Sequence, residues 1–207
     1  MLFRSSYVEL VRGLNPNGQL RLYPGSPWCA LQRARGDDRL RLFELHSSDQ
    51  RLLASTFSEA GRQVKIEAAD GHAGLKAVLP PPTRRGLVLI DPSYEVKSDY
   101  PRTVEALKDG LTRFAGGTYV VWYPLLPKPD ARQLPTRLKA TRPASWLNVT
   151  LSVQAPSKEG FGMHGSGLYI ANPPWTLPAQ LEATLPWLVD ALRQDAGAGY
   201  TLEHEIP

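Results

Sequence analysis

The sequence predicts a doubly wound α/β sheet with an antiparallel edge. Three observations lead there. Apolar runs of strand length alternate with segments of helical period. Three of those runs close on an acidic residue, at Glu44, Asp70 and Asp91. Two late apolar runs flank a glycine-rich loop, the pattern of antiparallel partners.

Taken in order, "RLRLFELH" (39–46) reads as a strand and "SDQRLLASTFSEAG" (48–61) as the helix after it. Ser48 or Asp49 is its expected N-cap, and Gly61 lies past its end. "QVKIEAAD" (63–70) is a second strand and "GHAGLKAVL" (71–79) a short helix. "RGLVLID" (85–91) is a third strand, apolar on both faces, which predicts helices covering both sides. Val104, Leu107, Leu111 and Phe114 form one stripe of a helix that Gly116-Gly117 ends. "TYVVWYP" (118–124) is a fourth strand, followed by a basic helix or loop over 128–142. "WLNVTLSVQ" (146–154) and "GLYIANP" (167–173) are the antiparallel pair. Leu181, Leu185, Leu188 and Leu192 share a face of the last helix, and "YTLEHEI" (200–206) is a closing strand.

The 207 residues suit one domain with, at most, a small appendage. Hydrophobic residues at 42% and charged residues at 21% fit an ordinary globular core. No apolar run reaches membrane-spanning length, and "MLFRSSYVEL" lacks the apolar centre of a signal peptide, so a cytoplasmic location is expected. Cys29 is the single cysteine and is expected as a small buried side chain. The four histidines lie far apart without metal-ligand spacing, so no metal site is expected. The net charge of +4 permits a polyanionic partner. Lys128, Arg132, Arg137, Lys139 and Arg142 face one nearby acid, Asp130. That segment is either a solvated helix face or a phosphate-contacting patch.

In a doubly wound sheet, ligands bind at the carboxyl ends of the strands. A glutamate there, Glu44, can accept hydrogen bonds from both hydroxyls of a ribose. Asp70 can take the amino group of a base while Gly71 lets the backbone come close. Together they point to a nucleoside-containing cofactor. Asp91-Pro92-Ser93-Tyr94 suits a second ring with an exocyclic amine. Asp91 accepts one N–H and the Pro92 carbonyl the other, which leaves the nitrogen lone pair available to attack a methyl group. Tyr94 is expected to stack on the ring. Asn172-Pro173-Pro174-Trp175 is a second match in letters. It follows a strand of the late antiparallel pair, where paired prolines are ordinary punctuation. Ser26 precedes Pro27 and reads as a helix N-cap.

"GQLRLYPGSP" (18–27), "FELHSSD" (43–49), the run from Glu67 to Tyr100, "VVWYP" (120–124) and "GSGLYIANPPW" (165–175) occur in one order along the chain. This pattern resembles the RlmJ-type adenine-N6 methyltransferases of large-subunit ribosomal RNA. The resemblance implies a Rossmann-like class I methyltransferase fold with a mostly parallel sheet and a C-terminal antiparallel hairpin. It implies S-adenosylmethionine as methyl donor and one adenine of 23S rRNA, free or protein-poor, as substrate, acted on by a monomer or weak oligomer. By motif, Asp91 with Pro92 and Tyr94 corresponds to the catalytic set, and Glu44, Asp70, Gly71 and Ser26 to cofactor contacts. Residues 1–17 correspond to the remnant of a helical appendage and 18–207 to the methyltransferase domain. Family members are expected to carry a first strand and a glycine-rich cofactor loop ahead of the matched region. Ser93 stands where the tetrapeptide has a second proline. Two other readings stay open: a non-catalytic RNA-binding remnant, and a DNA adenine-N6 methyltransferase, for which no DNA-reading module is visible.

Overall fold

The computed structural model describes residues 2–160 and 162–206, which form two compact units, Met1–Gly74 and Leu75–Pro207. In the first unit, α1 (Leu2–Leu14) and α2 (Ser26–Arg33) precede β1 (Leu40–Phe43), α3 (Ser47–Thr56), a 3-10 segment (Ser58–Gln63) and β2 (Val64–Glu67). Parallel pairing runs from Leu40 opposite Val64 to Phe43 opposite Glu67. Asn15 fastens the end of α1 to the following turn. Its Oδ1 accepts the N–H groups of Arg21 and Leu22 at 2.8 and 2.9 Å, and its Nδ2 donates to the Val11 and Leu22 carbonyls at 2.8 Å. α4 (Gly71–Val78) begins at the end of this unit. Gly74 is required there, because a Cβ would lie 2.3 Å from the Phe43 ring.

Local chemistry shifts several expected boundaries. His46, not Ser48 or Asp49, is the N-cap of α3, and the Ser48 hydroxyl is bonded to His46 Nδ1 at 2.8 Å. The helix stops at Thr56 rather than near Gly61, and Gly61 takes φ +56° inside the turn that follows. β2 ends at Glu67, so Asp70 lies three residues past the ladder.

The second unit holds β3 (Leu87–Ile90), α5 (Asp99–Arg113), β4 (Thr118–Leu125), α6 (Pro129–Lys139), β5 (Trp146–Ser152), β6 (Gly165–Ala171), α7 (Leu177–Leu192) and β7 (Gly199–Glu205). Its five-stranded sheet has the order β3-β4-β6-β5-β7. β3 and β4 are parallel, whereas β4-β6, β6-β5 and β5-β7 are antiparallel. The late hairpin therefore enters with its second strand innermost, and β7 extends it outward.

Alternation along the strands divides the core between two faces. Tyr119, Val121, Tyr123 and Tyr169, all at 0% exposure, pack with Leu107 of α5 and with Leu134 and Leu138 of α6. On the other face, Leu147, Val149 and Ile170 pack with Leu185 of α7. Gly110 lets α5 approach the sheet, since a Cβ there would sit 2.6 Å from the Tyr119 ring. β3 departs from expectation. Ile90 is buried and Val88 half-buried, but Leu87 and Leu89 are 69% and 43% exposed. In this unit α7 covers the β5-β6 part of that face and leaves β3 open.

Candidate active site

Three chain turns carry the candidate residues, two in the first unit, at Glu44 and Asp70, and one in the second, at Asp91. Asp91 follows the last residue of β3 directly. Its side chain reaches solvent and accepts no hydrogen bond from the described residues. Partial desolvation nevertheless moves its carboxyl above the usual carboxylate range. An acceptor held at a strand end with no internal partner is free to bind an external donor.

The turn behind it is firmly held. Tyr94 adopts φ +56°, a left-handed conformation that costs a non-glycine residue roughly 1–2 kcal/mol. Its hydroxyl donates to the Trp122 carbonyl at 2.8 Å, and the Thr103 side chain is a second hydrogen-bond partner. Burial pushes that hydroxyl well up, so it stays a donor. The ring lies 4.9 Å from the Tyr100 ring and 6.2 Å from Trp122. Only 3% of Tyr94 is exposed, so in this conformation its ring anchors the turn and offers no open face for stacking. Nothing in the letters marks Tyr100 or Trp122 for this role. Tyr100 precedes the apolar stripe of α5, and Trp122 contributes a backbone carbonyl, which carries no residue identity. Ser93 is exposed and Pro92 half-buried.

In the first unit, Glu44 follows β1 directly and its Oε1 accepts the His46 N–H at 2.7 Å. Asp70 makes the same kind of turn, its Oδ1 accepting the His72 N–H at 2.9 Å, with His72 Nδ1 at 3.5 Å. Gly71 opens α4, where a Cβ would touch Phe43 Cβ at 3.4 Å. Glu67, the carboxylate that does end β2, is instead occupied by Arg41 and Lys65, and these hold its carboxyl down. Ser26 is exposed as the first residue of α2, and the N-cap is Gly25, so the N-cap reading of Ser26 does not hold. Cys29 is half-buried.

The second tetrapeptide is a structural joint. β6 runs antiparallel to β4, so Asn172 emerges at the amino ends of β3 and β4, the opposite edge from Asp91. Its Nδ2 donates to the Ala115 and Gly117 carbonyls at 2.7 and 2.8 Å, and its own carbonyl accepts the Thr118 hydroxyl at 2.9 Å. Those bonds commit its amide donor and its backbone carbonyl to tying β6 to the turn before β4. Its φ of +52° is one that asparagine tolerates well.

A model of the ribosomal RNA large-subunit methyltransferase family RlmJ matches residues 4–205. The chain belongs to the RlmJ family. Its relatives within that methyltransferase family include "Ribosomal RNA large subunit methyltransferase J" of Escherichia coli (strain K12), 44% identical over 195 residues, which span 94% of this chain and 69% of the relative. The protein of the same name from Haemophilus influenzae is 41% identical, over 97% of this chain and 71% of its own. The crystal structure of LPL1258 from Legionella pneumophila shares this RlmJ-family fold. It superposes with a TM-score of 0.87 at 34% identity, covering 95% of this chain and 72% of that one. Among the described residues, no helix is long and apolar enough to cross a membrane.

Proposed function

We propose that this chain methylates N6 of an adenine in 23S rRNA, with S-adenosylmethionine as donor. The observation that carries the reading is Asp91: a strand-end carboxylate, open to solvent and without a hydrogen-bond partner among the described residues, on a turn fixed by Tyr94. The Asp91 carboxylate accepts one N–H of the amine, and the Pro92 carbonyl accepts the second. Two acceptors draw the amine from its planar, ring-conjugated form and raise the lone pair for attack. The proline ring fixes φ and so aims the carbonyl. The base is extruded from its stack to reach such an edge. Formation of the N–C bond would break the methyl–sulfur bond of the donor and leave a neutral thioether, and the excess proton on nitrogen passes through Asp91 to solvent.

The residues present also fit the donor. Glu44 commits one oxygen to its own turn and keeps the other for a ribose hydroxyl. Asp70 and Gly71 offer an acceptor beside a glycine backbone, suited to a purine edge. The exposed Ser26 hydroxyl can add a further contact. When bound, the donor supplies an electrophilic methyl on a sulfonium centre. The names of the relatives support ribosomal RNA as substrate.

The test is transfer of labelled methyl to unmodified 23S rRNA by the native protein. Asp91→Ala is expected to lose about 10²–10⁴-fold in rate, the range for a positioned acid-base group. Equal transfer by Asp91→Ala sinks the assignment. Glu44→Ala is expected to weaken donor binding in calorimetry while leaving RNA binding intact.

A further inference from the structure

We infer that α6 is a phosphate-contacting track that seats the RNA strand beside Asp91. This rests on the RNA substrate proposed above and adds the surface that holds it. α6 anchors its inner side through Ala131, Leu134 and Leu138, at 3%, 0% and 0% exposure, so the helix is fixed on the sheet. Its outward arc carries Arg132 and Arg137, with Lys128 at the N-cap and Arg142 just past the C-terminus. All four are exposed, and none forms an ion pair among the described residues. Arg137 is held by the Gln133 carboxamide at 2.8 Å, a neutral partner that leaves its charge uncompensated. The one remaining cation of the segment, Lys139, is taken by Glu203 and lies 4.5 Å over the Trp146 ring. The one acid, Asp130, is half-buried in the first turn.

Position gives this patch its meaning. β4 is parallel to β3, so the chain leaves β4 at the edge where Asp91 sits and enters α6 there. A contact path links the two. The Tyr94 ring packs on Tyr100 of α5, and α5 packs on α6. At the same edge, the His164 N–H, just ahead of β6, donates to the Leu125 carbonyl at 3.3 Å. Lys128 and Arg132 therefore lie at the Asp91 end of the helix, and Arg137 and Arg142 continue away from it. Uncompensated arginines spread over the exposed arc of a rigid helix leading from an amine-binding turn suit the backbone of a polyanion whose one base is being drawn into that turn. A solvated surface helix would carry mixed charges and internal pairs. Contacts to phosphate are blind to sequence, so the track supplies affinity while the turn selects the base.

The experiment is filter binding or fluorescence anisotropy of the full chain with an unmodified 23S rRNA transcript, without donor, across a salt series. Arg132→Glu with Arg137→Glu is expected to weaken binding about tenfold or more near 0.1 M salt. It should also flatten the log-log salt slope by about 1.4, two lost single-strand phosphate contacts. Arg84→Glu with Arg85→Glu removes the same charge at the amino end of β3 and is expected to bind nearly as the parent does. Circular dichroism checks the fold, and the milder Arg132→Gln with Arg137→Gln replaces the reversal if that variant unfolds. Parent-like affinity and slope in the α6 variant, equal loss in the Arg84/Arg85 control, or no salt-dependent RNA binding by the parent would each overturn the inference. Asp91→Ala separates the two readings. If it transfers methyl normally while the α6 variant loses RNA affinity, the catalytic assignment fails and the docking surface stands.

Discussion

At the scale of single residues, the proposed reaction makes Asp91 a compromise between folding and chemistry. Its carboxyl is raised because the folded chain partly removes its water. The ionised form is the acceptor, so transfer should be full at neutral pH and fall as pH drops through the raised value. The acid limb of the rate profile is therefore expected above the usual carboxylate range. The stability sign is opposite. A group whose folded pKa is raised stabilises the protonated fold, and that contribution is lost as pH rises. Asp91→Asn is thus expected to raise Tm slightly at neutral pH while abolishing most transfer. A drop in Tm would contradict this view of Asp91 as strained by desolvation. Ser93 is exposed and its replacement by proline restores rigidity to the turn, so Ser93→Pro should keep or raise the rate. A loss beyond about tenfold in kinetic assay would give the serine a role of its own.

At the scale of elements, two tetrapeptides of similar pattern reach opposite edges of the sheet because they leave strands of opposite direction. Asn172 ties β6 to the turn between α5 and β4 with both of its amide hydrogens. Asn172→Ala removes those bonds and a residue suited to positive φ, and leaves two carbonyls short of a partner. A destabilisation of about 1–3 kcal/mol in denaturant titration is expected. Binding of RNA per folded molecule should be unchanged. The helix α6 shows the complementary case, in which one side is fixed by leucines and the other is left to charge.

At the scale of the whole molecule, the second unit is organised around aromatic residues buried within its sheet. The Tyr123 hydroxyl donates to Asn148 Oδ1 at 2.8 Å, and both residues are almost fully buried. Gly167, opposite Tyr123 across the β4-β6 ladder, makes room for that ring, because a Cβ there would fall 2.2 Å from Tyr123 Cζ. Gly167→Ala should therefore force the strands apart and cost about 1–3 kcal/mol, as overpacking does. Unchanged stability in chemical denaturation would show that the ring has an alternative rotamer. The first unit has no comparable layered core: Phe57 is its one buried large apolar side chain among the described residues.

What the sequence determined by itself was local. Strand and helix periodicity, the punctuation by glycine and proline, and the order of the RlmJ-like segments all follow from short-range chemistry, and each is readable in the letters. The carboxylates Glu44 and Asp91 fell at strand ends for the same reason. Only the tertiary structure decided strand direction, and with it which tetrapeptide faces a ligand edge, because letters carry no direction between distant strands. It also turned Tyr94 inward, left one face of β3 open and bound Glu67 to Arg41. Each of those outcomes depends on what neighbours occupy the space around a side chain, and that is set by packing across the sheet rather than along the chain.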